Sequence, residues 1–244
     1  MIFKKWENLP KDMQTSEVRK YYDILSKRKF SLVLKRAFDI VASLIMLIIL
    51  VIPILIISVL IAVDSPGGVF YRQVRVTTYG EKFRIFKFRT MVADADKIGS
   101  LVTVVQDSRI TKIGGFLRKY RLDELPQLLN VLSGKMSFVG TRPEVPKYVD
   151  RYSDEMKASL LLPAGITSEA SIRYKDEADL LDSATDVDKV YVEKVLPRKM
   201  EYNLKAIEDF SFFGEIATMF RTVLAVLGKD YSGKRQEEKE TVEV

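Results

Sequence analysis

The 244-residue sequence contains neither cysteine nor histidine. Disulfide bonds, thiolate nucleophiles, imidazole bases and zinc sites built from Cys and His are therefore excluded. A Ser-His-Asp triad is excluded for the same reason. Nucleotide-binding loops of the G-x-x-x-x-G-K-S/T and G-x-G-x-x-G types are also missing. Any catalysis must therefore use carboxylates, Lys, Tyr, Ser or Thr.

Charge is absent from one long segment and positive on balance elsewhere. Residues 40–63 are uncharged, while the whole chain has 39 Lys and Arg against 33 Asp and Glu, a net charge of +6. A helix over these 24 residues would be about 36 Å long, which exceeds a hydrocarbon core of about 30 Å. The basic balance alone would also suit nucleic acid. Next to such a segment, anionic membrane lipid is the better partner, and we expect no nucleic acid.

Pro53 lies near the middle of this apolar segment and is expected to kink its helix. Two topologies remain open, a tilted spanning helix with a tolerated proline and a re-entrant helix that enters and leaves on one face. Residues 1–36 contain ten Lys and Arg, and residues 65–89 contain six. Because cytoplasmic flanks collect positive charge, two basic flanks modestly favour re-entry.

Four regions follow from this pattern. They are a basic amphipathic lead-in over 1–36, a membrane helix over 37–64, a cytoplasmic domain over 65–228 and a disordered charged tail over 229–244. The apolar side chains of the lead-in suit an anionic membrane surface, although a short solvated helix is the alternative. They are Tyr21, Tyr22, Ile24, Leu25 and Phe30.

The domain is expected to be α+β, mainly helical with a small β-hairpin, next to the proline-broken re-entrant membrane helix. Residues 69–76 and 83–89 alternate in polarity and predict the hairpin. Two short helices are predicted over 108–132, and a helical segment with a break near Ser211 over 198–227. The apolar stripe of that last segment is typical of core packing, with membrane contact as the second interpretation.

A carboxylate pair is the strongest candidate for chemistry. Pro126 is tolerated only in the first turn of a helix, so Asp123 and Glu124 are placed at a helix start. The helix dipole, with Arg118 and Arg121 nearby, is expected to keep both acids ionised. An ionised Asp there could be a nucleophile or a Mg²⁺ ligand. A helix cap followed by a first-turn Glu explains the spacing alone more simply.

Three basic clusters complete the candidate set. They are Lys87 to Thr90, Thr141 to Glu144 and Arg173 to Asp176. Arg142, which precedes a proline, suits bidentate phosphate binding. Each cluster taken singly is explained equally well as solvated surface charge. Together with the acid pair and the membrane segment, they indicate phosphate chemistry on a lipid or a nucleotide.

Several stretches occur in the order found in one known family. They are KRAFDIVAS (35–43), PGGVFYRQVRV (66–76), FRIFKFRTM (83–91), DSRITKIGGFLRKYRLDELPQLLNVLSGKMSFVGTRPE (107–144) and PAGIT (163–167). Over about residues 30–228 the chain resembles the bacterial sugar transferases, which are monotopic polyprenyl-phosphate phosphoglycosyl transferases.

The resemblance implies a reaction and its cofactor. A nucleotide-diphosphate sugar, usually a UDP-sugar, would be attacked at its sugar-linked phosphorus by Asp123, while Glu124 helps to hold Mg²⁺. UMP would leave, and undecaprenyl phosphate would then take the phosphosugar from Asp123 in a ping-pong sequence. The enzyme would act at the cytoplasmic face of the bacterial inner membrane, with Pro53 at the break of the re-entrant helix. The resemblance leaves open whether the protein forms a homodimer.

The resemblance also implies phosphate-binding residues. Arg118 and Arg142 match basic family positions, and Lys87 and Arg89 belong to a matching stretch. Lys175 is in register with a family arginine and Arg173 is its neighbour, so either could contact phosphate. Thr141 replaces a family proline, so that turn could be looser. A non-catalytic membrane adaptor is the alternative function, and it would not need the acid pair.

Overall fold

The computed structural model describes residues 3–95, 107–174 and 186–227. Lys175 and the tail predicted over 229–244 lie outside the described residues. The helices are α1 (Ser16–Ser26), α2 (Lys29–Asp64), α3 (Lys112–Lys119), α4 (Leu128–Leu132), α5 (Pro146–Val149), α6 (Glu169–Arg173), α7 (Val187–Val190), α8 (Leu196–Glu208) and α9 (Phe212–Val226). The strands are β1 (Phe70–Val76), β2 (Lys82–Phe88), β3 (Met136–Val139) and β4 (Ala164–Thr167). The predicted α+β class with mainly helical content is confirmed.

The strands form two small sheets. β1 and β2 pair antiparallel from Phe70 opposite Phe88 to Val76 opposite Lys82, which confirms the predicted hairpin. β3 and β4 pair in parallel and were not predicted from the sequence. Gly140 follows β3 and Gly165 lies in β4, and their backbones are so close that a Cβ on Gly165 would collide with Gly140 and a Cβ on Gly140 would collide with the Pro163 carbonyl. Four-residue strands carry too little alternation to be recognised in a sequence.

The apolar segment belongs to α2, which is 36 residues long. Among the described helices, only α2 is long and apolar enough to cross a membrane. The helix continues through Pro53, so the expected break is not a break in secondary structure. Leu50 before the proline and Ile54 after it both pack against the domain, which supports the helix on either side. Re-entry into the membrane stays a prediction.

One side of α2 packs against the rest of the protein along most of its length. Leu32, Asp39 and Ser43 are buried in its first half, and Ile61 is buried near its end. The opposite side exposes large apolar residues, among them Ile48, Ile49, Ile52, Leu55, Ile56, Val59 and Val63. The helix therefore lies against the domain and presents an apolar outer face.

The helix α1 lies inside the main core. Val18, Tyr21, Tyr22 and Leu25 are buried there together with residues of α8. The expectation that Tyr21, Tyr22 and Leu25 face a membrane is therefore wrong. The amphipathic pattern indicated an apolar face correctly, but a pattern does not identify what covers that face. Phe30, at the start of α2, remains 80% exposed.

The last two helices meet at Ser211, which confirms the predicted break. The Ser211 hydroxyl caps α9 by accepting a hydrogen bond from the Gly214 amide at 3.1 Å. The core-packing interpretation of the following stripe is wrong for Phe213, Phe220, Val223 and Leu227, which are all exposed. Within the described ranges no element covers these side chains, and α9 packs beside α2. The ring of Phe212 is 5.9 Å from that of Phe38 in α2.

Candidate active site

A cavity of about 940 Å³ lies where the end of the hairpin, α3, the start of α4 and the loop after β3 meet. Its lining is rich in charged side chains, and cations predominate. The cations are Arg75, Lys87, Arg89, Arg109, Arg118, Lys119, Arg121, Arg142 and Lys199, and the acids are Asp94, Asp123, Glu124 and Glu144. Such a lining attracts polyanions.

The acid pair is held by a sharp turn between α3 and α4. Arg121 adopts a left-handed conformation with φ of 56°, and a 3₁₀ helix then runs over Leu122–Gln127. Asp123 and Glu124 occupy its first turn and Pro126 follows them, which confirms the predicted placement at a helix start. Both carboxylates are largely buried. Left-handed backbone at a non-glycine residue is uncommon and is concentrated at functional sites.

Glu124 contacts two cations directly. Arg142 donates through Nη2 to Oε1 at 2.6 Å and through Nη1 to Oε2 at 3.4 Å. Lys87 donates through Nζ to Oε1 at 3.0 Å. Burial opposes ionisation of Glu124, but the charges of Arg142 and Lys87 outweigh it and hold its pKa well below the usual range. The contacts with Arg142 and Lys87 therefore favour the ionised form of Glu124.

Asp123 has a different environment although it is the next residue. Its Oδ2 atom is 3.9 Å from Lys87 Nζ, and its carboxylate accepts no hydrogen bond within the described part of the chain. Burial raises its pKa, and so does the charge of Glu124, while Lys87 and Arg118 act in the opposite direction. The expectation that both acids are kept ionised therefore stays a prediction for Asp123, since burial acts against its ionisation. A higher pKa makes this carboxylate the stronger nucleophile of the two.

Arg118 reaches the cavity from α3, as predicted. Burial lowers the pKa of its guanidinium, and the charge of Asp123 partly compensates. The helix is fixed at its start, where the Thr111 amide donates to the Thr90 carbonyl at 3.0 Å. At Gly114 the helix lies so close to the Thr90 backbone that a Cβ would collide with it. This close packing sets the position of Arg118 relative to Asp123.

The loop after β3 carries Arg142 to Glu124 and is held from behind. Arg75 donates through Nη1 to the Pro143 carbonyl at 3.0 Å. Glu144 accepts a hydrogen bond from Tyr191 at 2.6 Å, and Lys199 donates to the Tyr191 hydroxyl at 3.1 Å. The replacement of a proline by Thr141 therefore leaves a well-braced loop.

Sequence reasoning missed three of these residues. Arg75 was visible as a basic residue in the hairpin, at the end of the Gln-x-Arg stretch. Tyr191 and Lys199 lie in helical segments far along the chain from the acid pair, and no motif in the sequence marked them as part of the site.

Two predicted phosphate ligands, Arg89 and Arg173, contact protein groups, and a third is not described. Arg89 donates to the carbonyls of Pro66 at 2.5 Å and Ser65 at 2.6 Å, so it fixes the chain after α2 although it borders the cavity. Arg173 does not line the cavity and pairs with Glu169 at 3.3 Å. Lys175 lies outside the described residues. Their roles in phosphate binding stay predictions from the sequence.

The carboxylates allow a test of the expected magnesium ion. No group of three or more acidic side chains suited to a metal occurs in the described ranges. Magnesium, however, is commonly held by one or two carboxylates that are completed by phosphate oxygens and water. Asp123 and Glu124 supply two such carboxylates at the border of the cavity. The residues present therefore fit Mg²⁺ when a phosphate supplies further ligands.

The cavity also extends to the apolar helices. Met46 of α2 lines it, and so do Thr222, Ala225 and Val226 of α9. The outer faces of the same two helices expose apolar side chains. One continuous space thus connects a cationic acid-pair site with the part of the protein best suited to lipid.

Comparison with known proteins points in the same direction. Residues 30–229 match the family described as bacterial sugar transferase. A Bacillus subtilis (strain 168) protein, to which undecaprenyl-phosphate N-acetylgalactosaminyl 1-phosphate transfer is provisionally assigned, is 38% identical over 156 residues, covering 64% of this chain and 87% of its own. An Escherichia coli (strain K12) UDP-glucose:undecaprenyl-phosphate glucose-1-phosphate transferase is 34% identical over 195 residues, covering 78% and 39%.

A third relative has a similar relationship to the chain. The UDP-N-acetylgalactosamine-undecaprenyl-phosphate N-acetylgalactosaminephosphotransferase of Aeromonas hydrophila is 32% identical over 197 residues, covering 80% of this chain and 44% of its own. The chain thus spans most of the Bacillus relative and less than half of the Escherichia and Aeromonas relatives.

Proposed function

Since the chain belongs to the bacterial sugar transferase family, we propose that it transfers a sugar 1-phosphate from a UDP-sugar to undecaprenyl phosphate. One observation carries the proposal. The cavity that contains Asp123 and Glu124 is lined mainly by cations and extends to the apolar helices α2 and α9. A nucleotide diphosphate and a lipid phosphate are both anions, and one of them arrives from a membrane.

Asp123 is proposed as the nucleophile. Its carboxylate oxygen attacks the sugar-linked phosphorus, and the bond from this phosphorus to the bridging oxygen breaks. The electron pair stays on that oxygen, which leaves as part of UMP, and a phosphosugar remains on Asp123. The raised pKa of Asp123 supports this role, because a more basic carboxylate is a better nucleophile. Undecaprenyl phosphate then attacks the same phosphorus and frees Asp123.

The neighbouring residues are proposed to stabilise charge. Arg142 and Lys87, which contact Glu124, would also meet the phosphate oxygens of the donor. Arg118 offsets the repulsion between the donor and the acid pair. Glu124 would hold Mg²⁺, which supplies further neutralisation of phosphate oxygens when bound.

The location proposed for this chemistry is the cytoplasmic face of the bacterial inner membrane. The outer face of α2 and the exposed residues of α9 would contact lipid, which places the cavity beside the headgroups. A re-entrant α2 would keep the domain on the side where UDP-sugars are found.

Release of UMP tests the proposal. Purified full-length protein in vesicles with undecaprenyl phosphate and Mg²⁺ is offered UDP-glucose, UDP-N-acetylgalactosamine and other UDP-sugars. We expect at least one donor to yield UMP, and Asp123→Asn to abolish both UMP release and the covalent adduct. The matched control is Asp23→Asn, which removes an exposed carboxylate of α1 that pairs only locally with Arg19.

Two results would contradict the proposal. UMP release by Asp123→Asn at the wild-type rate would remove Asp123 as the nucleophile. Vesicle binding by the wild-type protein without turnover of any donor would favour a non-catalytic membrane adaptor.

A further inference from the structure

One cation of the cavity, Arg75 in β1, has no carboxylate partner in the part of the chain that the structure describes. Its guanidinium donates to the Pro143 carbonyl at 3.0 Å and to Gln73 Oε1 at 2.6 Å. Both acceptors are neutral, and the buried Nε atom has no hydrogen-bond partner. Within the described residues, no carboxylate lies within ion-pair distance of Arg75. Its positive charge is therefore not matched locally.

The carboxylate whose charge most attracts Arg75, that of Glu144, is already engaged. Glu144 accepts a hydrogen bond from Tyr191 at 2.6 Å and lies 3.7 Å from Lys199 Nζ. Burial lowers the pKa of Arg75, and the attraction of Glu144 offsets this only in part, while Arg142 adds repulsion. A half-buried guanidinium whose buried Nε atom lacks a partner would be stabilised by an added anion.

Arg75 is also well placed relative to the acid pair. It contacts the carbonyl of Pro143, the residue after Arg142, and Arg142 contacts Glu124 at 2.6 Å. Arg75 and Arg142 line the same cavity as Asp123 and Glu124, so an anion that met both guanidinium groups would share that cavity with a ligand held at Asp123, as the two phosphates of a diphosphate would.

We infer that Arg75 binds the donor phosphate that leaves as a nucleoside monophosphate. The inference rests on the proposed function. When the bond to the sugar-linked phosphorus breaks, the bridging oxygen keeps the electron pair and the leaving phosphate gains one negative charge. Arg75 meets that charge with a guanidinium that is already positioned by Pro143 and Gln73. Arg75 is thus a ligand of the leaving group, in addition to bracing the loop.

Binding of UMP and of uridine separates these two roles. Competition with the UDP-sugar is measured for wild type, Arg75→Gln, Arg75→Lys and the control Arg72→Gln. Arg72 is exposed in the same strand, stacks on Phe86 at 4.0 Å and does not line the cavity. A lost hydrogen bond to a charged group corresponds to about 10- to 100-fold in affinity. We expect Arg75→Gln to reduce the affinity for UMP by that factor and to leave the affinity for uridine unchanged. Arg75→Lys should reduce the affinity for UMP less, and Arg72→Gln should bind both as the wild type does.

The two half-reactions give a second readout. Arg75→Gln should slow adduct formation on Asp123 by about tenfold or more, since the leaving phosphate is stabilised less. Discharge of a preformed adduct by undecaprenyl phosphate should stay within about twofold of wild type, because UMP has then left.

Three results decide the matter. If Arg75→Gln, or Arg75→Lys should the glutamine variant fail to fold, weakens UMP and uridine by the same factor, Arg75 only braces the loop and the inference is overturned. Unchanged UMP affinity overturns it as well. If wild type binds UMP through Arg75 but turns over no donor, the anion site stands and the proposed function fails.

Discussion

Two adjacent carboxylates receive different properties from the same few cations. Arg142 and Lys87 make their short contacts with Glu124, whereas Lys87 is 3.9 Å from Asp123. The pKa of Glu124 is lowered and that of Asp123 is raised. A pair with separated pKa values is a common feature of sites that assign different roles to two acids. Here the acid with the lowered pKa suits charge organisation, and the more basic acid suits attack.

The raised pKa of Asp123 predicts an acid limb in the rate of adduct formation. Asp123 must be deprotonated to attack, so the rate should be constant at high pH and fall as the pH drops through its pKa. Because that pKa is raised, the fall should begin at a higher pH than it would for a free aspartate, whose pKa is about 4. Glu124 stays ionised throughout this range and should add no second limb.

Arg118→Gln should move that limb to higher pH. Arg118 lowers the pKa of Asp123, so removing its charge should raise that pKa further. The measurement is the pH dependence of UMP release in a single turnover. Lys112→Gln, at the exposed start of the same helix, is the control and should leave the limb in place. A limb that stays at the wild-type pH in Arg118→Gln would contradict this assignment.

The sequence predicted which residues surround the site better than it predicted which groups those residues contact. The positions of Asp123, Glu124, Lys87, Arg118 and Arg142 around one cavity agree with the candidates chosen from the sequence.

The sequence did not predict that Arg89 donates hydrogen bonds to the Ser65 and Pro66 carbonyls. Local spacing does not reveal which distant backbone groups need a donor. The same limit applies to Lys199 and Tyr191, whose place behind Glu144 depends on tertiary packing alone.

At the scale of elements, two neighbouring glycines of α3 have different surroundings, so one tests tertiary packing and the other tests helix propensity. Gly114 faces the Thr90 backbone without room for a Cβ, whereas Gly115 faces open space. Gly114→Ala should force α3 away from the hairpin end, destabilise the protein by about 1–3 kcal/mol and reduce activity by displacing Arg118. Gly115→Ala should be neutral or stabilise the helix by up to about 1 kcal/mol.

Thermal unfolding and UMP release together check this prediction. We expect a lower Tm and a lower rate for Gly114→Ala, and an unchanged or higher Tm with a wild-type rate for Gly115→Ala. Equal behaviour of the two variants would show that the contact with Thr90 does not position the helix.

Elements with a strong periodic signal were predicted, and those with short segments were not. The hairpin alternates over seven residues in each strand, and α9 follows a capping serine. The parallel pair β3 and β4 has four residues in each strand and joins segments that are far apart in sequence. Its position depends on the close approach of Gly140 and Gly165, which no single segment encodes.

For the molecule as a whole, the outward-facing apolar residues were the hardest feature to assign. The sequence indicated apolar faces on α1, α2 and α9 alike. Only the assembled structure shows that the apolar face of α1 is buried in the core, while α2 and α9 have exposed apolar surfaces. A helical pattern defines a face, and the neighbours available in the fold decide whether protein or lipid covers it.

The packing of α2 leads to a prediction about topology. Lys35 donates to the Val139 carbonyl at 2.7 Å near one end, and Asp64 accepts from the Ile113 amide at 3.1 Å at the other. About 43 Å of helix separates these residues, more than the thickness of a hydrocarbon core. A helix that crossed the membrane would place the two contacts on opposite sides, which one domain could not satisfy. Both ends of α2 should therefore lie on one side.

Single cysteines can test this directly, because the chain has none of its own. Cysteines introduced at Lys29 and Ser65 should both react with a membrane-impermeant reagent from the cytoplasmic side of inverted vesicles, and neither should react in intact cells. Cys at Asp23, in the α1 helix outside the apolar segment, marks the side of the domain. Labelling of Lys29 and Ser65 from opposite sides would require a spanning helix and would separate the contacts of Lys35 and Asp64.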